Sequence, residues 1–340
     1  KLGPGTLRLS GRNTFEGEVF VNGGILELGV GDTLSNAHAV TVNPGNLLRI
    51  VDDAEDFGSL AIRAGGLELV NQNLRVGFNQ ASTTLDGSSV VVGTGNFTKT
   101  GDGTMTVAGT MVLAGTVAVT GGKLDLRGSA KGFDGAVVGG AGTLRISSLI
   151  VVDGTVENLG RIELSAGKLA ADTLDLRNGL AFDFLGGKLD VGQVLGSLTN
   201  VGGVLSSESD AVRTTVFGDY TQQALGTLEI DLLADGTASG FDLVGGRATL
   251  AGNLSVRLAT GATLRVGDMF DVLTADGGIQ GDFTLLLPTL TNGRQFALDR
   301  SNASRLRLVV TAPAQTPVPL PPALLLLGSA LITLRRQRRR

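Results

Sequence analysis

The amino-acid sequence predicts an all-β fold: a right-handed single-stranded parallel β-helix, closed by a C-terminal β-rich cap and followed by a short C-terminal transmembrane helix. Short runs of alternating apolar and polar residues recur along the chain, each closed by Gly, Asn or Ser. Glycine supplies 52 of the 340 residues and often stands as a pair before a run. The runs show no helical period, and their spacing leaves no room for a crossover helix.

Residues 5–29, GTLRLSGRNTFEGEVFVNGGILELG, are the template. In TLRLS, EVFVN and ILELG, a period of two puts Leu7 and Leu9, Val19 and Val21, and Leu26 and Leu28 on one face of each run, with Arg8, Glu18 and Glu27 on the other. Three half-buried strands in about 20 to 25 residues suit one coil of a β-helix. GTLRLSG returns as GTMTVAG at Gly103, GTLRISS at Gly142, GRIELSAG at Gly160 and GTLEIDL at Gly226. VNGGILELG returns at Ile62, Val119, Leu164 and Phe184. A glycine pair before a strand fits a tight corner, since glycine takes positive φ without steric penalty. About 310 residues at this period give on the order of 13 coils, stacked about 4.8 Å apart.

Residues 3–29 follow the pattern GxGTLxLSGxNTFxGxVxVNGGxLxLG almost throughout and resemble the autotransporter-associated β-strand repeat. That resemblance implies a passenger-type domain of a surface-exposed bacterial protein.

Composition narrows the function classes. With 42% apolar residues there is ample surface to bury, so the chain is not disordered. Aromatic residues are 4% with no Trp, and the net charge is −4 without a basic stripe in the body, which argues against nucleic acid as a partner. The absence of Cys removes disulfides, thiolate metal sites and Cys nucleophiles. The chain begins at Lys1 and enters a repeat at once, with no signal peptide visible, as in a fragment or processed form.

Candidate chemistry is sparse, and no catalytic, cofactor-binding or metal residues are expected. The acids at 52–56, DDAED, raise calcium as an alternative to a solvated loop between coils, but the spacing is not that of an EF-hand. GGAGTL at 139–144 holds a lone GxG without a following helix. His38, the single histidine, lies in the apolar context NAHAV and suits a turn or coil edge better than a general base. Glu27, Glu68, Asp125 and Asp190 take the outward slot of equivalent strands, so some of them are expected to stack into a ladder on one face, which reads as solvent-facing decoration or as neutralised by Lys123 and Lys188 rather than as a catalytic pair. Asn13, Asn22, Asn71, Asn158 and Asn178 end strands and are expected to bond coil to coil.

The chain divides into β-helix repeats at 1–203, a C-terminal β-helix and capping region at 204–310, a Pro-rich linker at 311–322 and a hydrophobic helix with an Arg tail at 323–340. The second region resembles the C-terminal β-rich segment of autotransporter-like surface proteins, and a cap is expected because an open last coil exposes strand edges. The linker holds five of the eight prolines. ALLLLGSALITL at 323–334 spans roughly 18 Å as a helix, short for a bilayer, and Arg335, Arg336, Arg338, Arg339 and Arg340 would hold its end in the cytoplasm.

Val318, Pro319, Leu320 and Pro321, the apolar run and the arginines together resemble the PEP-CTERM sorting signal in its Val-Pro-Leu-Pro form. The resemblance implies an exosortase-type membrane protease as partner, transit through the membrane, and a final place at the cell surface, in the outer membrane or outside a Gram-negative cell. The chain thus reads as a non-enzymatic structural or adhesive surface protein, with exopolysaccharide or other surface glycans as expected contacts. The alternative is a carbohydrate-active β-helix lyase or hydrolase.

Overall fold

In the computed structural model, which describes residues 1–15, 17–29, 33–34, 36, 38–207, 213–233 and 238–313, the alternating runs stack coil upon coil into three parallel sheets. The first sheet begins with Thr6–Leu9, Ile25–Leu28, Leu47–Ile50 and Gly66–Leu69 and ends at Thr284–Leu286. The second runs from Val19–Val21 through Ala39–Val42 and Ser59–Ile62 to Ile279–Gly281. The third starts at Glu55–Phe57 and Leu74–Val76 and ends at Met269–Ala275. The chain visits the first, third and second sheets in that order before returning to the first. Long strands such as Ala130–Ile146 turn the corners and serve all three sheets, with register shifts at the bends.

Period-two alternation decides what lies inside. Leu26, Leu48, Leu67, Val91, Met111, Ala130, Ile150, Leu169 and Leu189 stand in register from coil to coil, and all are buried. Each Leu, Ile, Val or Met so stacked contributes about 1.5–3 kcal/mol, so a column is a continuous source of stability along the axis. Between the equivalent residues of adjacent coils there are 19 or 20 residues in the central coils, 16 from Leu189 to Leu205 and 31 from Leu254 to Leu285. Length variation is absorbed at the corners, where the buried columns are not interrupted.

The template is not three faces of one coil. Thr6–Leu9 and Ile25–Leu28 are successive strands of the same sheet, with Leu7 opposite Leu26, and only Val19–Val21 lies on another. The physical reason is length: 19 residues bring the chain once around, so the third run of the template starts the next coil. About 11 turns carry all three sheets, fewer than the 13 coils expected from length, because among the described residues the third sheet begins at Glu55 and the last ones leave the coil.

The second glycine of the pair makes the corner. Gly24 and Gly122 have φ of 64° and 57°, and a Cβ at Gly24 would lie 2.4 Å from the carbonyl oxygens of Pro4 and Gly5. Any side chain there would be strained in its own backbone and would collide with the coil beneath.

At the far end the parallel pattern stops. Gln295–Asn302 and Arg305–Thr311 form an antiparallel pair, and Arg305–Thr311 also pairs antiparallel with Met269–Ala275, covering the last edge of the third sheet. Among the described residues the only helical turn is a 3-10 turn at Thr291–Gly293, and no helix is long and apolar enough to cross a membrane. The expected transmembrane helix at 323–340 lies outside the described residues.

Candidate functional surface

The outward slots of the sheets carry charge, and ion pairs join unlike signs across coils even where the register sets Lys168 opposite Lys188 and Glu163 opposite Asp183. On the first sheet Arg8, Glu27, Arg49 and Glu68 follow one another in one column, joined at 2.8, 3.5 and 2.6 Å, and Arg8 also binds Asp52. The hydrogen bond from Arg49 to Glu68 raises the guanidinium pKa above its usual value. Further along the same sheet Lys168 binds Asp190 at 2.7 Å, Lys188 binds Glu229 at 2.7 Å, and Arg257 joins Glu229 and Asp231 at 3.1 and 2.8 Å. On the second sheet Arg127 binds Asp125 at 2.8 Å, Lys123 binds Glu163 at 2.8 Å, and Arg161 binds Asp183 at 2.5 Å.

This overturns the expected ladder of like charges. Glu27, Glu68 and Asp190 lie on the first sheet, Asp125 on the second, and Arg49 of the intervening coil separates the first two. Asp125 is held by Arg127 and Asp190 by Lys168, while Lys123 reaches Glu163 and Lys188 reaches Glu229. Equivalent motifs land on different sheets because coil lengths differ, so motif position alone does not define a face.

Other expected positions are also corrected. Glu55 is not in a solvated loop: it opens the third sheet in an inward slot, 1% exposed, and accepts hydrogen bonds from the Thr33 and Leu34 amides at 2.9 and 3.3 Å. It thereby pairs amides of the preceding coil. His38 is buried, with Nε2 donating to the Phe15 carbonyl at 2.9 Å and the Phe15 ring edge-on at 5.0 Å. Asn22 bonds coil to coil with Asn43 as expected, and Asn71 does so with Thr94. Asn73 and Asn96 form a second such pair at 2.7 Å, unforeseen because neither follows a strand in the template pattern. Asn13 reaches the Thr33 carbonyl and Asn158 the Ala181 carbonyl, both at 2.9 Å.

One part of the surface lacks this balance. Asp134, Asp153 and Asp172 follow Phe133, Val152 and Ala171, which are in register in three successive coils, so the three acids stack along the corner between the first and third sheets. All three are exposed, and none of their carboxylates has a hydrogen bond or ion pair among the described residues. Beside them runs an open groove of about 320 Å³ lined by Val151, Asp153, Ala170, Asp172, Asp190, Gly192 and Ser207, among others. Ser207 is 5% exposed and its Oγ has no hydrogen-bond partner. Among the described residues no three His, Cys, Asp or Glu side chains converge as a metal cage. Val318, Pro319, Leu320, Pro321 and the five terminal arginines lie outside the described residues.

Two stretches of the chain, 1–28 and 97–126, match the family model of the Passenger-associated-transport-repeat. Such repeats are associated with exported, autotransporter-linked surface proteins. Both stretches share one geometry: Leu7 pairs with Leu26 in the first sheet, and Met105 with Leu124 in the second, each 19 residues on. The chain is thus a β-helix carrying these repeats, the two copies offset by one sheet around the axis. No curated protein matches the chain.

Proposed function

We propose that this chain is the structural or adhesive body of an exported bacterial surface protein, sorted through its C-terminal tail by an exosortase-type protease. The observation that carries the reading is the pair of repeat matches, each forming a strand, a full turn and the next strand of the same sheet. A solenoid of this kind is a spacer and a display surface: it adds about 4.8 Å of length per coil and presents two outward slots per strand without needing a pocket. The ion-paired outward acids favour a scaffold, since a carboxylate held by Arg or Lys is a poor general acid at neutral pH. Contact with exopolysaccharide or other surface glycans belongs to this reading.

The tail supplies the route. Proline at 319 and 321 would favour an extended segment before the apolar run for a protease to recognise, and the five arginines would resist passage through the bilayer. In a host with the matching enzyme, the mature protein should be recovered at the surface or in the medium without its last twenty or so residues. Pro319→Ala with Pro321→Ala should leave insertion intact and trap the uncleaved chain in the inner membrane. Intact-mass spectrometry decides: a mature protein still ending in RRQRRR would leave a plain anchor in place of a sorting signal.

A further inference from the structure

We infer that the groove at the corner between the first and third sheets binds a ligand through a primary ammonium group, with Asp153, Asp172 and Ser207 as its acceptors. Two independent observations carry this. Asp134, Asp153 and Asp172 stack in consecutive coils about 4.8 Å apart and form no ion pair among the described residues, whereas acids in the neighbouring outward columns, including Asp190 with Lys168, are ion-paired. Like charges at that spacing repel, and a cation bound between them removes the repulsion. Separately, Ser207 is 5% exposed, lines the groove and keeps an Oγ without a partner, which is unusual for a buried hydroxyl.

The chemistry of the ligand follows from what the groove offers and lacks. No three carboxylates or imidazoles converge among the described residues, so these side chains do not form a cage for a bare metal ion. An ammonium brings three N–H donors of its own, enough for two carboxylates and one hydroxyl. Val151, Ala170, Ala171 and Gly192 supply a floor of small side chains against which a short alkyl chain or a sugar ring fits, in a space of about 320 Å³. Polyamines and amino sugars both carry the group. The inference does not depend on the export reading, since the groove lies wholly within the described coils.

Calorimetric titration of the full chain with spermidine, and separately with a fully deacetylated glucosamine tetramer, tests it. At least one should bind saturably; spermidine alone identifies a polyamine site, and the tetramer alone an amino-sugar site. Asp153→Asn with Asp172→Asn should weaken binding about tenfold or more, and Ser207→Ala about threefold, while Asp53→Asn with Asp102→Asn, the same loss of charge elsewhere, should change it less than about twofold. Circular dichroism should show all variants folded, because the four acids changed at the groove and control positions are exposed and Ser→Ala is small. Equal losses in the two double variants would reduce the effect to diffuse surface charge. Absence of binding by both amines, or calcium binding at the groove that neither amine displaces, would overturn the inference.

Discussion

At Ala64 the corner chemistry is carried by the wrong residue. Ala64 has φ of 50°, a left-handed conformation, and lies beneath Gly45, whose amide bonds to the Ala64 carbonyl at 3.0 Å. A Cβ in that region is strained by about 1 kcal/mol, whereas glycine adopts it freely, so Ala64→Gly should stabilise the protein by roughly 0.5–1 kcal/mol after its own entropy loss. Thermal unfolding checks this, and a lower melting temperature would mean that the methyl group packs productively. The sequence shows why the position escapes notice: IRAGGLELV keeps the glycine pair, but the pair is shifted one place toward the strand, with Gly66 in its first slot. Lys99 is a similar case. Alternation from Phe97 places it inward, yet its charge argues outward; in the structure it is buried between Val76 and Val119, with its ammonium donating to the carbonyls of Thr100, Gly101 and Gly121. Burial lowers its pKa from the usual 10.5. Periodicity was the better guide than residue type at both positions, because a stacked column fixes direction and the corner carbonyls then supply partners.

At the scale of the element, the strands were legible and their assignment to sheets was not. Alternation marks TLRLS, EVFVN and ILELG as strands, but only the length of the intervening chain decides which of them stack, and corners of variable length hide that from inspection. The end of the parallel stack shows the consequence most clearly, since there the antiparallel strand Arg305–Thr311 must be fastened to a parallel one. Arg213 binds Asp242 at 2.6 Å and the Asp271 carbonyl at 2.9 Å, Thr274 binds Asp242, and Arg307 binds the Asp271 carboxylate at 2.5 Å. The hydrogen bonds from Arg213, and then from Thr274, hold the Asp242 pKa below its usual 3.8 against the opposing effect of burial. A carboxylate with a depressed folded pKa stabilises fully above its unfolded value and ceases to do so as pH falls through the folded one. The clasp should therefore weaken below about pH 4, and Asp242→Asn should lower the melting temperature at pH 7 while flattening its fall between pH 4 and pH 2. A fall as steep in the variant as in the wild type would move the acid-sensitive contact elsewhere.

For the whole molecule, stability is distributed along an axis, and this makes a central defect different from a terminal one. Each coil packs mainly against its neighbours, with a few ion pairs such as Lys123–Glu163 reaching one coil further, so the solenoid behaves as a chain of similar units coupled at their interfaces. Leu124 lies in the middle of that chain, fully buried and in register with Met105 and Leu144. Leu124→Asp puts a carboxylate into a dry column with no partner, a change expected to cost several kcal/mol, enough to break the coupling on both sides. Lys123→Asp, one slot away and facing outward, loses the ion pair with Glu163 and places like charges together, so it should cost only about 1 kcal/mol. Leu7→Asp at the first strand, where the side chain is already 42% exposed, should be mild as well. Hydrogen exchange separates the outcomes: in Leu124→Asp, amides of the coils near 105–144 should lose protection while those beyond 220 keep theirs, giving two unfolding transitions where the wild type has one. Uniform loss of protection along the chain would show that the coils fold as a single cooperative body, and equal melting temperatures for Leu124→Asp and Lys123→Asp would contradict the inward and outward register itself.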